Sequence, residues 1–203
     1  WDADDPEPLH VFDFGDGFVE VGYEPGDDTI VASVPIRSLT RGLFTVGRVV
    51  HTHADYTVDT TLHYSGYDLP GQIDHLVAMS DRTTLDGTVR ARGWYRFLFR
   101  SGGIEVPREG AGFDVPALPS GGFGVRIEGG EHAYYFPVSL QVEPDLPSDV
   151  HMVMEVNMHE SFRWEDQDGP GYTRGVFDTT PTGWEPVRQF GANSFRVYMD
   201  PPP

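Results

Sequence analysis

The sequence predicts an all-β protein, an antiparallel two-sheet β-sandwich of jelly-roll type, with a β-barrel as the alternative closure. Three observations carry that expectation. Apolar residues recur with period two along most of the chain, which is the mark of half-buried antiparallel strands. Glycine and proline clusters interrupt these runs at short intervals. The chain has 203 residues, enough for one domain with a buried core.

Along the chain, residues 1–8 read as an extended N-terminal arm, 9–200 as a single sandwich domain, and Pro201-Pro202-Pro203 as a short tail. Strands are expected at 10–14, 18–23, 29–36 and 43–50. In the next, Tyr56, Val58, Thr60, Leu62 and Tyr64 alternate with polar residues. Ile73, Leu76 and Val77 instead share a helical face, which predicts a turn or two of helix over 73–79. The stretch 88–100 reads as one long strand. Residues 101–124 hold seven glycines and three prolines and read as a long surface loop. Tyr134, Phe136, Val138, Leu140 and Val142 alternate again, and further strands are expected at 173–177 and 195–199. Turn signals include Gly15-Asp16-Gly17, Pro25-Gly26-Asp27, Asp86-Gly87 and Gly169-Pro170-Gly171.

Charge narrows the function. Thirty-two Asp and Glu face 14 cations, a formal charge of −18, and every cation is arginine. Such a field excludes bulk binding of nucleic acid or of an anionic membrane surface. An acidic, lysine-free surface resembles that of proteins from salt-loving archaea and their viruses. At molar salt the Debye length shrinks to roughly 3 Å, so self-repulsion is screened. Cysteine is absent, which removes disulfides, thiolate metal sites and thiol nucleophiles. No apolar run reaches the roughly 20 residues of a transmembrane helix.

Two clusters stand out as candidate sites. On one strand, His51, His53 and Asp55 present two imidazoles and a carboxylate at i, i+2 and i+4, a donor set that suits a divalent metal. The string His51-Thr52-His53-Ala54-Asp55 resembles the start of the zinc motif of the metallo-β-lactamase superfamily. Tyr56 stands where that motif ends in histidine, and residues 57–64 alternate as a strand instead of opening a helix, so the family is set aside. Apart from this metal, no cofactor is expected.

The second cluster is an arginine stripe. On the expected 88–100 strand, Arg90, Arg92, Arg96 and Arg100 share one face with Trp94 and Leu98. In a chain this acidic, the stripe is an expected interface for the acidic face of another copy, the alternative being cross-strand pairing within the subunit. Lesser signals carry less. Met152, Met154, Val156 and Met158 read as a core face, which leaves His151, Glu155 and His159 opposite. Gly121-Gly122-Phe123-Gly124 lacks the third glycine of a dinucleotide fingerprint. Glu165-Asp166-Gln167-Asp168-Gly169 matches only part of a calcium loop.

The resulting expectation is a non-catalytic structural or assembly subunit of capsid, filament or surface-layer type. It would be adapted to high salt, form a homo-oligomer or larger assembly, and be extracellular, on the cell surface or in a virion. The alternatives are a secreted module that binds metal, sugar or an apolar ligand, and a metal-dependent enzyme using His51, His53 and Asp55.

Overall fold

The structure is a computed structural model that describes residues 12, 14, 15, 17–116, 124–143 and 151–200, with the backbone alone at 124–126. Among the described residues, fifteen strands follow one short 3-10 turn at Ile36–Ser38. They are β1 (Gly42–His51), β2 (His53–Tyr64), β3 (Tyr67–Ala78), β4 (Thr83–Leu85), β5 (Thr88–Arg90), β6 (Tyr95–Ser101), β7 (Ile104–Gly110) and β8 (Gly124–Glu128). The remainder are β9 (Glu131–Val142), β10 (His151–Asn157), β11 (Arg163–Trp164), β12 (Asp178–Thr180), β13 (Gly183–Trp184), β14 (Val187–Gln189) and β15 (Ser194–Asp200). The protein is all-β and sandwich-like, as its alternating sequence predicts.

Four hairpins set the register. Ser65-Gly66, Asp86-Gly87, Gly102-Gly103 and Gly129-Gly130 each have positive φ at both central residues, as type I′ turns require. The flanking pairs Tyr64↔Tyr67, Leu85↔Thr88, Ser101↔Ile104 and Glu128↔Glu131 close them. The largest sheet has six strands in the order β13-β12-β2-β3-β6-β7. Within it β2, β3, β6 and β7 keep chain order as a meander and not the crossed order of a jelly roll. One pairing, β12 with β2, is parallel. A three-stranded sheet runs β1-β9-β8, and β4-β5, β10-β15 and β11-β14 form two-stranded ribbons.

The core lies on one face of the six-stranded sheet. Leu62, Ile73, Val77, Tyr95, Phe97 and Phe99 project there and are covered by Phe113, Val115, Phe177, Val187 and Phe190. Each such side chain contributes about 1.5–3 kcal/mol on full burial. At the centre is His75, 1% exposed, its ring 4.1 Å from that of Phe97 and 4.6 Å from that of Phe113. Its Nδ1 hydrogen-bonds the Tyr56 hydroxyl, whereas Nε2 has no hydrogen-bond partner among the described residues. Burial holds this ring neutral by lowering its pKa to about 3. A second, smaller core of Ala78, Leu85 and Trp94, with Leu76 against it, occupies the other face of the sheet.

Two-sided burial explains the first correction. The 73–79 stretch is strand in β3 up to Ala78 and not helix. Ile73 and Val77 face the main core while Leu76 packs in the second. Burial on both faces produces an apolar spacing that mimics a helix.

Other expectations change for related reasons. The 88–100 stretch is broken by a turn between β5 and β6. There Gly93 has φ +82 and lies so close to Phe113 that a Cβ would meet its carbonyl oxygen at 2.8 Å. Residues 101–110 are not loop, because Gly102-Gly103 is the hairpin turn joining β6 to β7. Residues 18–23 and 29–35 alternate but form no strand, and Ile30 is 81% exposed. Alternation makes a strand only where a partner supplies the ladder bonds. At 173–177 the chain turns, and the strand begins at Asp178. The methionine face of β10 is not core either, since Met152 and Met154 are exposed. The 1–8 arm, the 201–203 tail, most of 10–14 and 117–123 of the expected loop lie outside the described residues.

The two principal sheets meet at a corner. Strand β1 of the small sheet passes into β2 of the large one through Thr52 alone. The Thr52 carbonyl accepts hydrogen bonds from Met79 N–H (2.8 Å), Ser80 N–H (3.2 Å) and Thr83 Oγ1 (2.9 Å). Ser80 Oγ donates to the His51 carbonyl at 2.6 Å and accepts from His132 N–H at 2.8 Å. Removing that hydroxyl orphans a buried carbonyl and a buried N–H, each costing about 1–3 kcal/mol. The Ser80→Ala variant is therefore expected to lose about 2–4 kcal/mol in denaturant unfolding. A loss below about 1 kcal/mol would show that water replaces the hydroxyl.

Candidate functional site at the sheet corner

The same corner holds the histidines singled out in the sequence. His51 ends β1 and lies opposite His132 of β9 in register, with its ring 4.2 Å from that of Tyr134. His53 begins β2, opposite Ala78, and its ring meets Phe18 at 4.5 Å. Thr52 Oγ1 lies 3.0 Å from His53 Nδ1. Asp55, opposite Leu76, is exposed. The i, i+2, i+4 geometry belongs to one continuous strand, and here the chain changes sheets between His51 and His53. Among the described residues no three His, Asp or Glu side chains stand close enough to hold a metal ion. The structure brings His51 near both His53 and His132, and His53 near Asp55. His132 is the member the sequence did not reveal, because its partnership with His51 arises from β1–β9 pairing across 81 residues of chain.

Burial governs the chemistry of these rings. It lowers the His51 pKa to about 4, helped by the neighbouring His132 and His53. His132, 1% exposed, is likewise held to about 4 by burial and then by the Arg92 charge. The His53 pKa is also lowered by burial, against the pull of Glu20 and Asp55. For Asp55 burial and Asp74 raise the pKa, while His53 and Arg96 oppose them. His51 and His132 are therefore neutral at physiological pH, and His132 Nδ1 is buried with no hydrogen-bond partner among the described residues.

The arginine stripe is divided by the β5–β6 turn, and each member is engaged within the chain. Arg90 pairs with Glu109 at 3.2 Å and lies over the Trp94 ring at 4.1 Å. Trp94 itself is 7% exposed and donates its indole N–H to the same Glu109 at 3.0 Å. Arg92 donates to the Val115 carbonyl at 3.3 Å, while its backbone N–H caps Asp81 at 2.9 Å. Arg96 pairs with Asp86 at 2.5 Å, and Arg100 with Asp74 and Glu105. Exposed pairs of this kind contribute about 0–1 kcal/mol each. Their effect here is to neutralise charge that an incoming acidic surface would need.

A further polar cluster has no counterpart in the sequence reading. Asp178 and Glu185 are fully buried at 0% and 1% exposure, and His63 lies against Asp178. Two acids in a chain of 32 give no signal until the fold excludes water from them.

The chain matches no protein family, none of the curated proteins and none of the solved structures. The geometry alone therefore carries the functional reading.

The neutral histidines predict acid sensitivity. A folded-state pKa below the ordinary 6.5 means that the unfolded chain binds more protons as pH falls. Stability is then full above about pH 6.5 and declines toward pH 4 as His51 and His132 are driven to protonate. A ring held neutral down to about pH 4 contributes roughly 3 kcal/mol to that decline. Denaturant unfolding across this window should show the slope, and His132→Gln should flatten it. A slope unchanged in His132→Gln would mean that His132 is not among the groups that set the acid limit.

Proposed function

We propose that this chain is a non-catalytic structural subunit, adapted to high salt, that associates with copies of itself through the apolar face of the β10–β15 ribbon. The observation that carries the reading is the composition of that face. Register sets Met152 opposite Met199, Met154 opposite Val197 and Val156 opposite Phe195, so six apolar side chains share one side. Met152 is 51% and Met154 37% exposed. An isolated two-stranded ribbon is marginal in water, and an apolar face on one calls for cover. Where β15 approaches β9, a cavity of about 320 Å³ remains, lined by Pro137, Val138, Ser139, Val197, Tyr198 and Met199, so the ribbon is loosely seated.

Area favours a contact wider than the ribbon. Seven residues of strand span roughly 24 Å and two strands are roughly 10 Å across, a face of about 240 Å², short of the ~800 Å² per partner that a stable interface buries. Val21, Tyr23, Ile30, Val31 and Val34 are exposed as well and offer additional apolar surface. The internal pairing of Arg90, Arg96 and Arg100 supports the ribbon over the arginine stripe as the contact. Association also needs the −18 charge screened, which ties assembly to salt.

Light scattering with size exclusion in molar KCl tests the reading. The native chain is expected as a dimer or larger species, and the surface variant Met152→Asp with Met154→Asp as a monomer of unchanged circular dichroism. Arg96→Glu is expected to leave the mass unchanged. A native monomer in molar KCl would overturn the proposal. Thermal unfolding provides a separate check, with a melting temperature expected roughly 10 °C higher in molar KCl than in dilute buffer. Equal melting temperatures would remove the high-salt adaptation.

A further inference from the structure

We propose that His63 is a proton-operated latch that holds the segment 165–185 against β2. That segment has little ladder structure of its own. Its main attachment to the large sheet is the short β12, with Asp178 opposite Thr61 and Thr179 opposite Leu62. Thr60 Oγ1 and Thr61 N–H both donate to the Phe177 carbonyl, at 2.7 Å and 3.0 Å. His63 completes the attachment from near the end of β2. Its Nε2 is 2.8 Å from Asp178 Oδ1, and its Nδ1 is 2.6 Å from Asp68 Oδ1 on β3. Ionised carboxylates only accept hydrogen bonds, so an imidazole that satisfies both must be protonated on both nitrogens.

The segment is organised around the acid that this cation neutralises. The other Asp178 oxygen accepts the Thr173 N–H, and the Asp178 N–H donates to Glu185 Oε2 at 2.8 Å. Glu185 Oε1 accepts the Gln167 N–H at 2.6 Å. Asp166 accepts the Trp164 indole N–H at 3.0 Å and the Gly175 N–H. The charges facing His63 are thus Asp68 from β3 and Asp178 from β12. Behind Asp178 stand Glu185 and Asp166; burial raises the Glu185 pKa, and the charges of Asp178 and Asp166 add to that rise. One imidazolium serves this group, and two of its four carboxylates are fully buried.

Loss of the His63 proton removes one of the two ring hydrogen bonds. It also leaves Asp178 beside Glu185 without a counter-charge in a site closed to water, which is costly. The 165–178 backbone, which bonds these carboxylates through the amides of Gln167, Thr173, Gly175 and Asp178 and otherwise rests on the β12 pairing and on Phe177 in the main core, then detaches from β2. Linkage gives the direction. Burial of His63 works against its charge, but the hydrogen bonds and charges of Asp178 and Asp68 outweigh it and raise its pKa. A raised folded-state pKa gives stability that is full below the ordinary value of about 6.5 and lost as pH rises through the folded value.

Hydrogen exchange of the native protein, corrected for intrinsic rates, reads the latch. Amides of residues 167–178 are expected to be protected near about pH 6 and to lose protection about tenfold or more as His63 deprotonates, monitored in the same sample by its imidazole resonance. The centre of β3 should keep its protection throughout. Asp68 is 75% exposed in its side chain, so Asp68→Asn should fold normally and release the segment at lower pH. In His63→Gln, protection of the segment should no longer depend on His63 titration. Protection of 167–178 that tracks β3 at every pH, or an unshifted midpoint in Asp68→Asn, would overturn the proposal.

Discussion

The hydrogen-bond node at Ser80 is the contact on which the rest of the structure depends. It fixes the place where one strand leaves the small sheet and enters the large one. Its hydroxyl ties the His51 carbonyl to the His132 backbone, and its N–H joins those of Met79 and the Thr83 hydroxyl on the Thr52 carbonyl. Nearby, Asp81 N–H bonds the Gly130 carbonyl at 2.8 Å, which adds the β8–β9 turn to the corner. The Ser80 and His132 members of this node are buried, so their bonds are strongly specified and their loss is expensive. The β1–β9 register, and with it the pairing of His51 with His132, depends on this corner.

Four histidines illustrate how environment sets charge. His75 lies among aromatic rings and is neutral because nothing there compensates a charge. His51 and His132 face each other across β1 and β9 and are neutral, His51 through burial and the nearby imidazoles, His132 through burial and the Arg92 charge. His63 lies between two carboxylates and is charged. The same side chain thus acts as an apolar filler at one site and as a counter-ion at another. Buried rings of the first kind limit the fold on the acid side, and the charged one limits a single segment on the alkaline side.

The acidic surface and the apolar ribbon make different demands on the solvent. At low salt, 32 acids against 14 arginines favour dispersed chains. With that field screened, hydrophobic contact is free to act. Arg90, Arg92, Arg96 and Arg100 do not interrupt the acidic coat as a stripe, because each is engaged within its own chain. The apolar ribbon face carries no excess cation, so under the proposed self-association salt and not charge complementarity would control assembly.

Much of the architecture was legible in the sequence. Alternation located β1, β2, β9 and β15, and the Asp86-Gly87 signal marked one of the four tight turns. The inward set Tyr56, Val58, Thr60 and Leu62 faces the core side as its spacing predicted. Local pattern failed where the deciding partner was distant. Burial on both faces made β3 resemble a helix, contact with Phe113 broke the arginine strand at Gly93, and a missing partner left 18–35 without strands. The set His51, His53 and Asp55 departs from a one-strand arrangement for a similar reason, since the chain changes sheets between His51 and His53. The sequence by itself determined the fold class, the Asp86-Gly87 turn and the acidic, cysteine-free character, because these depend on composition and on neighbours along the chain. Which histidines are charged, which arginines are engaged and which apolar face lacks cover were decided only by tertiary structure, because they depend on the exclusion of water by residues far apart in sequence.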